Sequence, residues 1–414
     1  MTQARSRLSL VVTLIVALPL ALAAFSWWAL RPTDPVPLPT PSPTVSPDPT
    51  PSPTSSSSPA PAPSPSPTIL PTQRTLLLQV RGPDSAPNSV VIGIGGDTGR
   101  AEFAYPPAGL LLDVPAAGPR TLSEAAVLPD TGAASAALSA LIGVRIEGSF
   151  ILDRLAFAGL VDAVNGVPVV VRSPMLINDD KGEFVMVIPE GARTLTGTEA
   201  AYYVMYLGPY EKESSRISRF ADVLEKVIAA LPEDPVRVGQ ILTSLGALAR
   251  STIPNEALVE RLEWLRTQVR AGQQRSRDLP VDGIGPQPTR LFSLQLARSA
   301  ALMRRMLSES VIPPGTADPI RLVVRTGAPN PDLATAARDE LVEAGFTVIA
   351  DGSASDRGRL PERTVIDVPP GVPQLRQQAG AVARTLGVSP LIVVRPFAAI
   401  ADLRVTLGAD ALPD

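Results

Sequence analysis

Hydrophobic residues along the chain occur in short blocks with two periodicities, which predict alternating strands and helices. Aliphatic runs bounded by Gly, Pro, Asn or Asp predict strands. Apolar positions that repeat every three or four residues predict helices. Between residues 75 and 313 the pattern predicts strands at 76–80, 90–94 and 167–171, and helices at 133–142, 155–164, 219–231, 255–271 and 290–307. The run at 167–171 is continuously β-branched or proline, so we expect a buried strand there.

Two glycine-rich stretches in this region are predicted to be irregular. Residues 272–288 combine Gly, Pro and Arg, which is typical of a loop. The sequence GIGGDTG at 93–99 has the glycines of a phosphate-binding loop. It lacks the following Lys-Ser/Thr pair and helix, so we predict the end of a strand and a turn.

A proline-rich break at 310–319 separates a second region, whose pattern alternates regularly. Strands are predicted at 320–324, 346–349, 364–368, 391–394 and 403–407, with helices at 333–344 and 374–386. Alternation of this kind predicts a small α/β sandwich. We therefore predict an α/β protein with a mixed α/β domain at 73–312 and a small C-terminal α/β sandwich at 318–414.

The N-terminal segment predicts the location of the protein. Residues 8–30 are uncharged and long enough to span a bilayer as a helix. Arg5 and Arg7 precede this run, which favours a cytoplasmic tail at 1–7, and Trp27 and Trp28 lie at its far end. A cleaved signal peptide is the alternative. We predict one transmembrane helix, a single-pass protein of the cell membrane, and extracytoplasmic folded domains.

Residues 31–72 form a predicted linker of different composition. Sixteen of the 41 residues in 32–72 are proline, and most of the others are Ser, Thr or Ala. Such a segment cannot bury a core and is expected to be disordered with extended polyproline II character. It would hold the folded domains away from the membrane.

Composition then restricts the chemistry. The chain has 414 residues, no histidine and no cysteine, which excludes imidazole bases, Ser-His-Asp triads, disulfides and thiolate metal sites. Catalysis would have to use carboxylates, arginine, lysine or hydroxyl groups, with a hard cation if one is needed. The net charge of −3 argues against binding of nucleic acid.

Several ordered motifs resemble the LytR-CpsA-Psr family of extracytoplasmic cell-wall assembly proteins. They are IGVRIEGSFILDRLAFAGLVDAVNGVPVVV (142–171), GEFVMVIPEGARTLTGTEAAYYV (182–204) and SSRISRFADVLEKVI (214–228). Residues 320–412 are similar to the C-terminal domain that often follows in this family, with ARDELVEAGFTVI (337–349) and ADLRVTLGADA (401–411) as markers. The resemblance implies transfer of a glycopolymer from a polyprenyl pyrophosphate carrier onto peptidoglycan through a phosphodiester link. It also implies arginines for the pyrophosphate and a carboxylate-held Mg²⁺.

The sequence departs from the family pattern at the positions that carry this chemistry. Pro107 and Ala108 stand where the Pro-Arg-Asp-Thr motif has its arginine and aspartate, and Asn88 stands in place of an earlier aspartate. Met205 and Leu207 replace the arginines of Arg-x-Arg. Alanine and proline side chains offer neither charge nor ligand atoms, so these replacements should abolish transfer by the usual mechanism.

The residues that match the pattern, or lie near it, form the candidate site. Arg216 and Arg219 fit the paired arginines of Arg-x-x-Arg-Gln, and Glu213, three residues before Arg216, stands where the family usually has aspartate. The two arginines share a helical face and would bind phosphate oxygens, or they are surface residues. Glu213 is a candidate cation ligand or a partner of Arg216. Arg120 is a further ligand-binding candidate, and Asn88 a weak metal candidate.

Two functions remain open at this level. The first is a degenerate, non-catalytic family member that binds polyprenyl-linked intermediates, the wall, or other proteins of the family. The alternative is an active phosphotransferase that uses Glu213, Arg216 and Arg219 with Mg²⁺. The partners expected from either are the membrane and a polyprenyl-linked glycopolymer or peptidoglycan, without nucleic acid. Apart from Mg²⁺ in the active form, no cofactor is expected.

Overall fold

The computed structural model describes residues 71–411 except 72–73, 83–87, 179–183, 209, 288, 327–330, 354–359 and 398–399. The predicted tail, the transmembrane helix and all of the linker except Pro71 lie outside the described residues. Within the described part, no helix combines the length and hydrophobicity needed to cross a bilayer.

The first region contains fourteen named strands and eight named helices. The strands are β1 (Thr75–Arg81), β2 (Asn88–Ile94), β3 (Ala101–Tyr105), β4 (Leu111–Val114), β5 (Gly118–Thr121), β6 (Gly148–Asp153), β7 (Val167–Val171), β8 (Met175–Asn178), β9 (Phe184–Ile188), β10 (Gly191–Leu195), β11 (Ala249–Ser251), β12 (Gln274–Asp278), β13 (Val281–Ile284) and β14 (Leu291–Leu294). The helices are α1 (Leu122–Ala125), α2 (Ala133–Ile142), α3 (Arg154–Ala163), α4 (Gly197–Met205), α5 (Glu213–Ala230), α6 (Pro235–Ser244), α7 (Asn255–Arg270) and α8 (Leu296–Met306).

A six-stranded mixed sheet lies at the centre of this region, in the order β11-β6-β1-β2-β3-β12. Strand β1 pairs antiparallel with β2 and parallel with β6. Leu76 and Leu78 join an apolar cluster with α3 to α7, whereas Leu77 joins a cluster with α1, α2 and α8. Because helices cover both faces of the sheet, β1 and β2 are buried at almost every position.

Most of the elements predicted for this region are confirmed, with shifts of a few residues at their ends. The helix predicted at 133–142 has those bounds, and Gly143 ends it with a left-handed φ of 68°. The 93–99 prediction is also confirmed. Strand β2 ends at Ile94, and the backbone then turns so that Gly95 N donates to Arg100 O at 2.8 Å.

Three predictions in this region are wrong. The expected loop at 272–288 contains β12 and β13, and the helix expected from 290 begins only at Leu296, after strand β14. Strand β12 (QRSRD) pairs in parallel with β3, at the edge of the central sheet. Strand β7 exists and pairs with β10, but its residues alternate between buried and exposed, and Val170 is 64% exposed. One face of this strand is therefore exposed, because side chains alternate between the two faces of a sheet.

The C-terminal region is a two-layer α/β unit, as predicted. Its elements are β15 (Arg321–Thr326), α9 (Pro331–Glu343), β16 (Thr347–Ser353), β17 (Val365–Val368), α10 (Gln374–Thr385), β18 (Leu391–Val394) and β19 (Leu403–Leu407). The strand order is β16-β15-β19-β17-β18. Both helices pack on one face, in a cluster that includes Val324, Leu341, Ile366, Leu375 and Val405.

The two regions share an apolar cluster. Val323 and Ile400 of the C-terminal region are buried in the cluster that contains Leu141 of α2. The Arg338 Nη2 to Asp113 Oδ1 distance of 2.7 Å adds an ion pair between α9 and β4. The C-terminal region is therefore packed against the first region through buried contacts.

Glu102 of β3 gives a testable pH dependence. Its side chain is 1% exposed, and no described residue donates a hydrogen bond to its Oε2. Burial raises the pKa of Glu102, against the opposing effect of Arg275 and two further arginines. The folded protein thus holds this proton more tightly than the unfolded chain, whose glutamate pKa is about 4.3. The contribution of Glu102 to stability is therefore complete below the unfolded pKa, and it is lost as pH rises through the higher pKa of the folded state.

We expect Glu102→Gln to remove this dependence. The melting temperature of the variant, measured relative to that of the wild type, should increase as pH rises from about 4 to about 7. Only the wild type must bury a charge at the higher pH. Thermal unfolding followed by circular dichroism across this range measures the difference. Parallel curves for the two proteins would contradict the prediction.

Candidate functional site

The candidate residues gather around the connection between α4 and α5, residues 206–212. Four of the five predicted from the sequence lie here, namely Asn88, Glu213, Arg216 and Arg219. The fifth, Arg120, lies on strand β5 with an exposed side chain. Its described hydrogen bond is to Pro119 O at 3.3 Å, and no described contact links it to the other four.

Glu213 and Arg216 form a buried ion pair in the first turn of α5. Arg216 Nη2 lies 2.5 Å from Glu213 Oε1, and both side chains are less than 10% exposed. The spacing of three residues brings the two side chains together, and a carboxylate suits the positive end of the helix. Ala108 N also donates to Glu213 Oε1, at 2.9 Å. Burial lowers the pKa of Arg216, and the Glu213 carboxylate opposes that shift.

The Arg219 guanidinium binds backbone carbonyls at the C-terminal end of α4. Its Nε donates to Tyr203 O at 2.8 Å, and its Nη2 donates to Tyr206 O. Glu211 forms an ion pair with the same guanidinium, which lies over the Tyr203 ring at 5.6 Å. A cation that binds the last carbonyls of a helix caps it and complements its dipole. Arg219 therefore caps α4.

Asn88 also donates a hydrogen bond to the C-terminal end of α4. The residue begins β2, is 3% exposed, and donates from Nδ2 to Val204 O at 2.9 Å. Together with Arg219, it supplies donors to carbonyls that the end of α4 leaves without intrahelical partners. Its described role is therefore that of a hydrogen-bond donor to the backbone.

Sequence reasoning missed two residues that stabilise the connection. Arg290 donates from Nη2 to Gly208 O at 2.9 Å and from Nη1 to Glu211 O at 3.2 Å. Glu211 accepts from Gly208 N at 3.1 Å and pairs with Arg219. Glu211 lies two residues before Glu213, so local charge spacing offered a signal for it. Arg290 is about 80 residues away, and only the fold brings it here.

Three of the positions predicted to depart from the family pattern lie close to the candidate residues. Ala108 and Met205 are 2% and 5% exposed. Pro107 lines a cavity of about 510 Å³ beside Glu213, which we call the Glu213 cavity. Its apolar lining comes from Ile217, Leu279, Val281 and Phe292, and its charged lining from Lys212, Glu213, Asp278 and Arg298. A cavity of this size and mixed lining can hold part of an amphiphilic molecule.

Two titratable groups in the wall of the Glu213 cavity have shifted pKa values. Burial raises the pKa of Tyr105 well above its ordinary value, and Glu225 adds to that effect. Burial also raises the pKa of Asp278. The Tyr105 hydroxyl therefore stays protonated at neutral pH, which suits packing and rules it out as an anionic base there.

A second cavity, of about 660 Å³, lies beside Arg219 and is called the Arg219 cavity. Most of its described lining residues are polar or charged, among them Arg172, Asp222, Lys226, Ser215 and Ser218. Arg216 is in the lining of neither cavity, because its side chain lies buried against Glu213. Phe220 of α5 and Leu258 of α7 are 1% exposed in the apolar cluster, so these two side chains are part of the core.

The residues do not fit a carboxylate-held Mg²⁺ site. Glu213 Oε1 is already shared between Arg216 and the Ala108 amide, and Asn88 is turned to the backbone. No described group of three acidic side chains lies close enough together to hold a metal ion. We therefore derive no step through a cation at this site.

The fold defines a protein with a mixed α/β domain that is followed by a small α/β unit. Residues 127–274 match the LytR_cpsA_psr family model, and residues 319–410 match the model described as LytR cell envelope-related transcriptional attenuator. The chain belongs to the LytR-CpsA-Psr family. No curated protein matches its sequence.

Solved structures of similar topology have low sequence identity to the chain. TagV of B. subtilis is 12% identical, with a TM-score of 0.47, covering 59% of this chain and 98% of its own. The structure described as a LytR-Csp2A-Psr enzyme from Actinomyces oris is 17% identical, with a TM-score of 0.44, covering 58% and 95%. TagT bound to LIIa-WTA is 16% identical, with a TM-score of 0.44, covering 57% and 91%.

Proposed function

We propose that this protein is a non-catalytic member of its family that binds a polyprenyl-linked glycopolymer intermediate at the outer face of the membrane. The proposal includes the N-terminal anchor at 8–30 and the extracytoplasmic location of the folded regions. Peptidoglycan and other family members are the expected further partners. An alkaline phosphatase fusion after Asp414 that is active in cells would support this topology, and an inactive fusion would count against it.

The observation that carries the proposal is the pairing of Glu213 with Arg216. Phosphoryl transfer needs positive groups and a cation directed at the transferring phosphate. Here the charges at the start of α5 are directed at each other, and Ala108 contributes only its backbone N–H. Arg219 and Asn88 are directed at the end of α4. This arrangement supports a protein that binds its ligand without catalysing phosphoryl transfer.

The Glu213 cavity is the proposed binding site. Its apolar lining would receive part of a polyprenyl chain, and Lys212 and Arg298 at its polar lining would meet an anionic head group. The cavity also borders Pro107, a position where the family pattern has its arginine. These features favour this cavity over the Arg219 cavity, which has fewer large apolar side chains in its described lining.

The decisive experiment measures binding and turnover on the same preparation. The full chain in detergent is mixed with a polyprenyl pyrophosphate disaccharide, Mg²⁺ and peptidoglycan. We expect the intact substrate to be retained in native mass spectra, without release of polyprenyl phosphate. Release that disappears in Arg216→Ala would overturn the non-catalytic proposal in favour of an active phosphotransferase. Absence of binding would overturn the binding proposal.

Two serines of α5 provide a matched pair of variants. Ser214 lines the Glu213 cavity and Ser218 lines the Arg219 cavity, and both are exposed. Ser214→Trp should weaken binding by about tenfold or more, because the indole fills the cavity mouth. Ser218→Trp places the same group one turn further along and should change binding less than about twofold. Equal effects of the two substitutions would contradict the assignment of the cavity.

A further inference from the structure

The C-terminal sheet has one face without its helices, and that face carries an arginine pair. Helices α9 and α10 cover the face formed by Val324, Ile366 and Val405. Because side chains alternate along a strand, Arg404 of β19 and Asp367 of β17 lie on the opposite face, where they are direct neighbours in the register. Arg325 of β15 lies on the same face, opposite Thr406.

One buried carboxylate orients two guanidinium groups on this face. The Asp367 side chain is 0% exposed. Arg404 contacts Asp367 Oδ2 through Nε and Nη2, both at 2.6 Å. Arg395 contacts the same carboxylate through Nε at 2.6 Å and Nη2 at 3.0 Å. Each arginine thus donates one hydrogen bond to Asp367 Oδ2 and makes a second ion-pair contact through the other nitrogen of its Nε–Nη2 edge, which restricts the orientation of both guanidinium groups.

This arrangement leaves a net positive charge. Two guanidinium groups share one carboxylate, and within the described part of the chain no second carboxylate pairs with either. No described residue accepts a hydrogen bond from Nη1 of Arg395 or Arg404. The Arg395 side chain is 51% exposed, so its remaining donors reach solvent. The Arg404 guanidinium lies over the Phe397 ring at 5.1 Å, which further restricts its movement.

Oriented arginines with unused donors are a binding site for oxyanions. A guanidinium fork matches phosphate and carboxylate oxygens, and a fork that is already held loses little further conformational entropy on binding. One fork lies on β19 and the other directly after β18, so they present donors from two positions. Phosphate carries more oxygen acceptors and more negative charge than a carboxylate, so it can accept from both forks and neutralise more of their charge. An added anion would also relieve the repulsion between the two arginines.

We propose that Arg395 and Arg404, oriented by Asp367, form a site for a phosphate group in the C-terminal domain. The site goes beyond the proposed function, because it lies in a different domain from the Glu213 cavity and does not depend on it. The phosphate group belongs either to free inorganic phosphate or to a phosphodiester polymer. Both present the same oxygens to the arginines.

Titration calorimetry on the full chain tests the site. Inorganic phosphate is compared with acetate at equal ionic strength, and a glycerol phosphate polymer with polyglutamate. We expect phosphate to bind better than acetate. Arg395→Ala should reduce that affinity by about tenfold, since charge-assisted hydrogen bonds are lost. Arg376→Ala, which removes an exposed arginine of α10, should change it less than about twofold.

Each outcome bears on the proposal. Polymer binding that is tighter than that of inorganic phosphate and depends on Arg395 identifies the polymer as the source, and the reverse order identifies free phosphate. Equal loss in both arginine variants, no loss in Arg395→Ala, or tighter binding of acetate or polyglutamate would overturn the site. The melting temperature of each variant without ligand verifies folding. Ser214→Trp should leave phosphate affinity unchanged, which separates this result from a failure of the proposed function.

Discussion

Glu213→Ala should lower the free energy of unfolding by about 3–5 kcal/mol, the usual cost of removing one member of a buried ion pair. The substitution removes the carboxylate from Arg216, which is 1% exposed, and leaves the Ala108 amide without its acceptor. Urea unfolding followed by the fluorescence of Trp264, which lies in the same apolar cluster, measures the loss. The expectation follows from the pair itself and holds whether or not the site binds a ligand.

Two controls separate this effect from a general effect of losing a glutamate. Glu233→Ala breaks the exposed Glu233–Arg270 pair and should cost less than about 1 kcal/mol. The double variant Glu213→Ala/Arg216→Met removes both charges and should recover most of the stability. If Glu213→Ala costs no more than Glu233→Ala, the pair is not the structural element that we describe.

Asp402→Ala should destabilise the C-terminal domain by a similar amount, about 3–5 kcal/mol. Asp402 is 0% exposed and accepts four hydrogen bonds. They come from Gly315 N at 2.7 Å, and from Arg321 N at 2.8 Å, Nε at 3.0 Å and Nη2 at 3.1 Å. One carboxylate thus joins the segment before β15 to the residue before β19. Removing it leaves Arg321 buried and deprives two backbone amides of their acceptor.

Hydrogen exchange measured by mass spectrometry would locate this loss. Asp402→Ala should increase exchange in β15 and β19, and also in α2, because Ile400 and Val323 share a buried cluster with Leu141. Asp339→Ala is the control, since Asp339 is exposed and its partner Arg338 keeps the ion pair with Asp113. Faster exchange in β15 and β19 without any change in α2 would contradict energetic coupling between the two regions.

The sequence predicted the local elements well where side-chain pattern and secondary structure agree. The strand at 403–407 has its predicted bounds because Leu403, Val405 and Leu407 face a core. The strand at 391–394 also has its predicted bounds, although its aliphatic residues are largely exposed. Strand β12 could not be found in this way. Its residues are QRSRD, and it is held through backbone pairing with β3, which leaves no periodic apolar signal.

The candidate site was predictable only in its local part. The Glu213–Arg216 pair follows from a spacing of three residues in one helix, and it was one of the alternatives read from the sequence. The capping roles of Asn88 and Arg219 were not predictable. The bond from Asn88 to Val204 O spans 116 residues, and such a pairing depends on how β2 meets the end of α4.

The sequence by itself therefore determined the element types, the mixed α/β class, the family motifs and the residue types present at the site. Local periodicity and turn chemistry act within a few residues, so they can be read along the chain. Only the tertiary structure decided how the charges are used. Glu213 neutralises Arg216, Arg219 and Asn88 cap α4, and Asp367 orients Arg395 and Arg404. Burial makes each of these pairings obligatory, because a charge or polar group removed from water needs a partner, and that partner comes from wherever the fold places one.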